Sequence, residues 1–107
     1  PPLRTADAQR RAHDLAEIEP LEGDPHRALY RLPGLAATER NYPWELDARN
    51  KRSVAINLKS PEGLQVARDL AAQADIVIEN FSSGVIERLG LGYEDIRAIN
   101  PKVIFCA

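Results

Sequence analysis

The sequence predicts an α/β fold in which short parallel strands alternate with helices. Two apolar runs, Val54-Ala55-Ile56 and Ile76-Val77-Ile78, are short and rich in β-branched residues, as the strands of such sheets are. Between them Leu64, Ala67, Leu70, Ala71 and Ala74 recur at helical spacing. A third apolar run, Val103-Ile104-Phe105-Cys106, follows two shorter helical segments. The order over residues 49–107 is therefore β-α-β-α-α-β, with connections long enough only for parallel crossovers. Right-handed crossovers would place the three strands in one sheet with helices on its faces.

Residues 1–48 read as a variable, loop-rich portion. Arg4 to His13 is polar and permits a helix, and Asp14 to Glu19 alternates weakly around Leu15, Ala16 and Ile18. Pro20, Gly23, Pro25, Pro33, Gly34 and Pro43 then puncture any regular element, so a long looped excursion is expected, with a short helix near Leu35 to Arg40. A basic loop, Arg49-Asn50-Lys51-Arg52-Ser53, feeds the first strand. Ser60-Pro61-Glu62 supplies an N-cap hydroxyl, a proline at the first helical position and an early acid, which opens a helix running to about Gln73. Asp75 breaks that pattern, and Ile76-Val77-Ile78 reads as a strand buried on both faces. Ser83 or Gly84 starts a short helix that Gly90 ends in a left-handed cap. A further helix from Tyr93 to Ile99 stops at Asn100-Pro101, and Val103 to Cys106 is the third strand.

Composition narrows the function classes. A chain of 107 residues holds one small domain. A formal net charge of −2 leaves no electrostatic footprint for nucleic acid or an anionic membrane. Positive charge is uneven, however, with Arg49, Lys51, Arg52 and Lys59 in one segment that could serve a phosphorylated small molecule or be a solvated basic loop. The single cysteine, Cys106, excludes an internal disulfide framework and a cysteine-rich zinc site, and its apolar neighbours mark it as a small core residue. His13 and His26 lie far from any Cys/Asp/Glu cluster, so no metal is expected. Asp14, Glu17, Glu19, Glu22 and Asp24 read as solvated charge. No apolar stretch approaches the roughly 18 residues of a membrane span and no signal peptide is visible, which makes a reducing cytoplasmic setting the default.

In open α/β sheets ligands sit beyond the carboxyl ends of the strands. That rule selects Asn57-Leu58-Lys59 after the first strand and Glu79-Asn80-Phe81 after the second. Asn80 offers an acceptor and two donors, and Phe81 an aromatic face, which together suit a planar base or an amide. Each has a plainer role available, a turn cap for Asn80 and core packing for Phe81. Lys59, Arg88 and the Arg49/Lys51/Arg52 group could neutralise phosphate, although Arg88 also fits a surface helix position. Glu79 is the one acid at a strand end beside this site, placed either for acid–base work or for accepting backbone N–H groups. There is no Gly-x-Gly-x-x-Gly, no phosphate loop ending in Gly-Lys-Ser/Thr and no nucleophile elbow. No catalytic residue is named, and the residues by themselves support an α/β ligand-binding segment.

The stretch Arg49-Asn50-Lys51-Arg52-Ser53-Val54-Ala55-Ile56-Asn57-Leu58-Lys59-Ser60-Pro61-Glu62-Gly63 resembles the class III CoA-transferase family, which includes formyl-CoA transferases, carnitine-CoA transferases and α-methylacyl-CoA racemases. Asp75-Ile76-Val77-Ile78-Glu79-Asn80-Phe81, Gly84 to Tyr93 and Ile99 to Ile104 continue the resemblance in register, and Ile18 to Pro25 extends it weakly upstream. It implies a partial Rossmann-like, three-layer parallel sheet belonging to an interlocked homodimer. It also implies that Ile56 and Lys59 contact the nucleotide end of coenzyme A, and that Asn80, Phe81, Arg88 and Leu89 contact CoA. Two departures stand out: Ser82-Ser83 occupies the place of an Arg-Pro pair, and Asn57 that of a frequent aspartate. In the family a catalytic aspartate attacks the acyl-CoA thioester, and the resulting acyl-aspartyl anhydride is opened by CoA. By the resemblance that residue lies downstream of the third strand, so the chain is expected to be a CoA-binding segment, inactive alone. The activity implied is CoA transfer from an acyl-CoA donor to a carboxylic acid acceptor, with an acyl-CoA racemase or isomerase and a non-catalytic CoA- or nucleotide-binding module as alternatives.

Overall fold

The structure is a computed structural model that describes residues 15–35 and 38–107. The helix-permissive stretch Arg4 to His13 lies outside the described residues. The chain divides into two compact units, one ending at Ala55 and the other spanning Ile56–Ala107.

In the first unit, strand β1 (Leu15–Glu19) pairs in parallel with β2 (Lys51–Ala55), in a register that sets Ile18 beside Val54 and Glu17 beside Ser53. Two short helical pieces lie between them in sequence. The first is a 3-10 helix over Pro25–Arg31, whose Asp24 cap accepts a hydrogen bond from the His26 N–H at 2.7 Å. The second is α1 (Tyr42–Asp47), opened by Asn41, whose side chain accepts from the Trp44 N–H. The helix anticipated near Leu35 to Arg40 does not form over the described residues 38–40; it begins at Tyr42, where Pro43 sits in the first turn and loses no intrahelical donor.

In the second unit the order is α2 (Pro61–Gln73), β3 (Ile76–Ile78), α3 (Val85–Arg88), α4 (Tyr93–Ile99) and β4 (Ile104–Cys106). The order anticipated from the sequence for residues 49–107 is therefore present. Local signals account for it. The Ser60 hydroxyl accepts the Gly63 N–H at 3.0 Å and caps α2. Gly84 and Gly90, at φ 80° and 75°, bracket α3 in left-handed conformations that a side chain would strain. The Asp95 carboxylate accepts the Gly92 N–H at 3.1 Å at the start of α4. Asn100 donates from its side-chain amide to the Ala71 and Ala74 carbonyls at 3.0 and 2.8 Å, tying the end of α4 to the end of α2.

The core of this unit is Ala67, Ala71, Ile86, Leu91 and Ile96, with Leu58, Leu64, Val77, Val103 and Phe105 packed against it. Ile96 is 1% exposed and anchors it. Tyr93 meets the Phe105 ring edge-on, with centroids 5.9 Å apart.

Three sequence expectations are corrected here. The first strand starts at Lys51, so Lys51, Arg52 and Ser53 belong to it and not to a preceding loop. The strands form two parallel pairs, β1 with β2 and β3 with β4, instead of one three-stranded sheet, because the first strand finds its partner in Leu15–Glu19. Finally, β3 and β4 are covered on one face. Val77 and Phe105 turn to the core, while Ile76, Ile78 and Ile104 are more than half exposed and Cys106 is exposed, as the alternation of strand side chains requires.

Candidate functional site

The loop Asn57–Ser60 carries the first group of site residues into the second unit. It is a tight turn in which the Ser60 N–H and hydroxyl both donate to the Asn57 carbonyl, at 3.1 and 3.0 Å. The Asn57 side chain accepts the Lys59 N–H at 3.1 Å. Leu58 is half-buried against the core and Lys59 is exposed at the turn. Pro61 and Leu64 follow on the first turn of α2.

From the other side come the last residue of α3, Arg88, and its C-cap, Leu89. Leu58, Lys59, Ser60, Pro61, Leu64, Arg88 and Leu89 together line an open cavity of about 310 Å³. Two cations share the cavity with an apolar lining of Leu58, Pro61, Leu64 and Leu89. Such a cavity suits a ligand with one flat or aliphatic surface and a negatively charged substituent.

Of the residues singled out from the sequence, Lys59, Arg88 and Leu89 are brought together in this cavity. Ile56 is 6% exposed, which leaves it a packing residue at the base of the turn. Asn80 and Phe81 are exposed on the loop that follows β3, outside the cavity wall. That loop is held from within, since Glu79 accepts the Phe81 N–H at 2.7 Å and donates its own N–H to the Cys106 carbonyl at 2.9 Å. Glu79 thus fixes backbone, the second of the roles its position allowed. Leu58 belongs to the loop the strand-end rule selected, whereas Ser60, Pro61 and Leu64 are cavity residues the sequence did not flag. Their apolar or capping roles hide a second use as wall.

The first unit holds a different arrangement. Glu19, read from the sequence as solvated, is 3% exposed. Arg27 grips it with Nε and Nη2, each 2.6 Å from a different carboxylate oxygen. Ser53 donates its hydroxyl to the same carboxylate, and the Asp24 N–H donates at 2.9 Å. The Arg27 hydrogen bonds, followed by those from Ser53 and Asp24, outweigh burial and hold the Glu19 carboxyl at about 2, below its ordinary 4.5. Arg27 in turn lies over the Trp44 ring, 3.9 Å from its centroid. A carboxylate so fully paired is an anchor for the segment after β1 and has no free lone pair to offer a substrate. Glu17 lies 3.9 Å from the Lys51 ammonium, and His26 Nε2 lies 2.9 Å from Asp47 Oδ2. Among the described residues no group of three or more His, Cys, Asp or Glu is placed to hold a metal ion, and no helix is long and apolar enough to cross a membrane.

Residues 14–107 match the sequence profile of CoA-transferase family III. The chain belongs to that family. It is 41% identical over 75 residues to the human succinyl-CoA:glutarate CoA-transferase, covering 70% of this chain and 17% of that protein. To the succinyl-CoA–L-malate CoA-transferase beta subunit of Chloroflexus aurantiacus it is 40% identical over 92 residues, covering 85% of this chain and 22% of that one. Its fold matches the crystal structure of a CAIB/BAIF family protein from Brucella suis with a TM-score of 0.75 and 36% identity, over 87% of this chain and 25% of that chain. The chain thus spans a quarter or less of each of these family III relatives. The mixed α/β structure with short parallel strands agrees with that fold.

Proposed function

We propose that this chain supplies part of the CoA-binding domain of an enzyme that moves CoA from an acyl-CoA to a carboxylic acid. The observation that carries this reading is the convergence of Lys59, Arg88 and Leu89 on one cavity, from a turn and a helix end about thirty residues apart in the sequence. CoA combines a flat adenine with several phosphates. The cavity combines an apolar wall with two cations. The family relatives named above are themselves CoA-transferases. Asn80 and Phe81, on the loop braced by Glu79, are assigned to a second stretch of the same elongated ligand. Ile56 contributes by packing under the turn.

In the full-length enzyme this stretch belongs to a Rossmann-like domain of a cytoplasmic homodimer, and the nucleophilic carboxylate is supplied by another part of the protein. Residues 1–107 alone are accordingly inactive. Calorimetric titration of the full-length protein with CoA tests the site. Lys59→Ala and Arg88→Ala should each weaken binding roughly tenfold, the magnitude of one charge-assisted hydrogen bond lost. Wild-type affinity in both variants would sink the assignment. CoA exchange between an acyl-CoA and a free acid, measured on the same protein, separates an enzyme from a non-catalytic CoA-binding module.

A further inference from the structure

Gly63 is the third residue of α2, in its first turn, and glycine is a poor helix former. The reason for one here is steric. A Cβ on Gly63 would stand 2.1 Å from the Asn57 carbonyl oxygen, 2.9 Å from the Asn57 carbonyl carbon and 2.9 Å from the Ser60 hydroxyl. Two of these are backbone atoms, which cannot swing aside as the tip of a long side chain can. The same Asn57 carbonyl accepts both hydrogen bonds from Ser60, and the Ser60 hydroxyl accepts the Gly63 N–H. The turn is thus folded down onto the bare Cα of Gly63 and fastened there. Lys59 sits between the two pinned residues.

We propose that Gly63 is a positioning residue for Lys59: by letting the Asn57 carbonyl close onto the helix, it sets where the Lys59 ammonium stands in the cavity. Gly63 itself is absent from the cavity wall formed by Leu58, Lys59, Ser60, Pro61, Leu64, Arg88 and Leu89. A methyl group at Gly63 lifts the turn and carries Lys59 away from the anionic part of the ligand. The proposal rests on the cavity being the CoA site.

The test is CoA titration of the full-length protein at low and high salt, using Gly63→Ala, Lys59→Ala and the double variant. Gly63→Ala should weaken CoA binding up to the roughly tenfold loss given by Lys59→Ala, and should flatten the salt dependence as Lys59→Ala does. In the Lys59→Ala background it should cost little more, since both changes remove one interaction. A purely structural role for Gly63 predicts a lower melting temperature with an unchanged salt dependence. That outcome, or losses that add in full, overturns the proposal. Wild-type binding by Lys59→Ala overturns the site itself, whereas wild-type binding by Gly63→Ala beside a weakened Lys59→Ala overturns only the positioning. Ser60→Ala guards against misfolding of Gly63→Ala. It keeps the glycine and deletes the two hydroxyl hydrogen bonds. A loss of a few fold that vanishes in the Lys59→Ala background supports the proposal, and unchanged affinity overturns it.

Discussion

Arg27 meets Glu19 as a fork meets a fork, with Nε and Nη2 each 2.6 Å from a different carboxylate oxygen, and the carboxylate side chain is 2% exposed. The pair joins the end of β1 to the 3-10 helix, and Ser53 on β2 completes it. Burial of one charged partner makes the contact costly to break from one side. Glu19→Gln keeps the shape but replaces a paired charge with an amide, one end of which faces donors. Unfolding in denaturant should show a loss of about 1–3 kcal/mol, whereas the same change at exposed Glu22 should be close to neutral.

The same carboxylate should shape the acid limb of the stability curve. Its value is depressed in the fold, from 4.5 to about 2, so its contribution is complete above the upper value and disappears as pH falls toward the lower one. Melting temperature recorded from pH 6 downward should therefore drop more steeply in the wild type than in Glu19→Gln across that window. Parallel curves would show that Glu19 titrates normally.

How much of this was legible in the sequence depends on how local the signal is. Helix α2 was readable from Ser60, Pro61 and Glu62 at its start, and α4 from its stop at Asn100-Pro101, because caps and breakers act within a few residues. Strand β1 was not, since five weakly alternating residues become a strand only by pairing with Lys51–Ala55. The burial of Glu19 was hidden for the same reason, as its partners Arg27 and Ser53 are 8 and 34 residues away. Helix α1 did leave a signal in Asn41 and Pro43, which reads as a break unless the cap is weighed with it. In the candidate site, the strand-end rule found the loop bearing Lys59 and the family resemblance supplied Leu89, but the wall made by Pro61 and Leu64 requires knowing that α2 and α3 face one cavity.

Core packing gives a further prediction. Ile96 is 1% exposed and sits among Ala67, Ala71, Ile86 and Leu91, two of which are alanines too small to refill its volume. Ile96→Ala should destabilise the protein by about 2–5 kcal/mol. Ile104→Ala, on the exposed face of β4, should cost well under half as much. Comparable losses in denaturant unfolding would mean that the β3/β4 face is buried in solution.

The last prediction concerns Glu79, which never reaches the cavity but braces the loop bearing Asn80 and Phe81. Its carboxylate accepts the Phe81 N–H at 2.7 Å, across only two residues, so it closes a small ring that holds the loop in one conformation. Phe81 is 45% exposed, and a ring so placed can stack on a ligand only if its backbone is held. Glu79→Ala frees that backbone, and the ordering cost then falls on ligand binding, at roughly 1 kcal/mol per residue fixed, or about a fivefold loss of CoA affinity in the full-length protein. Glu79→Gln keeps an acceptor oxygen in place and should restore most of the loss. If the negative charge itself mattered, Gln would behave as Ala does. If Asn80 and Phe81 did not touch CoA, neither change would register in the titration, although Glu79→Ala would still loosen the loop in hydrogen exchange.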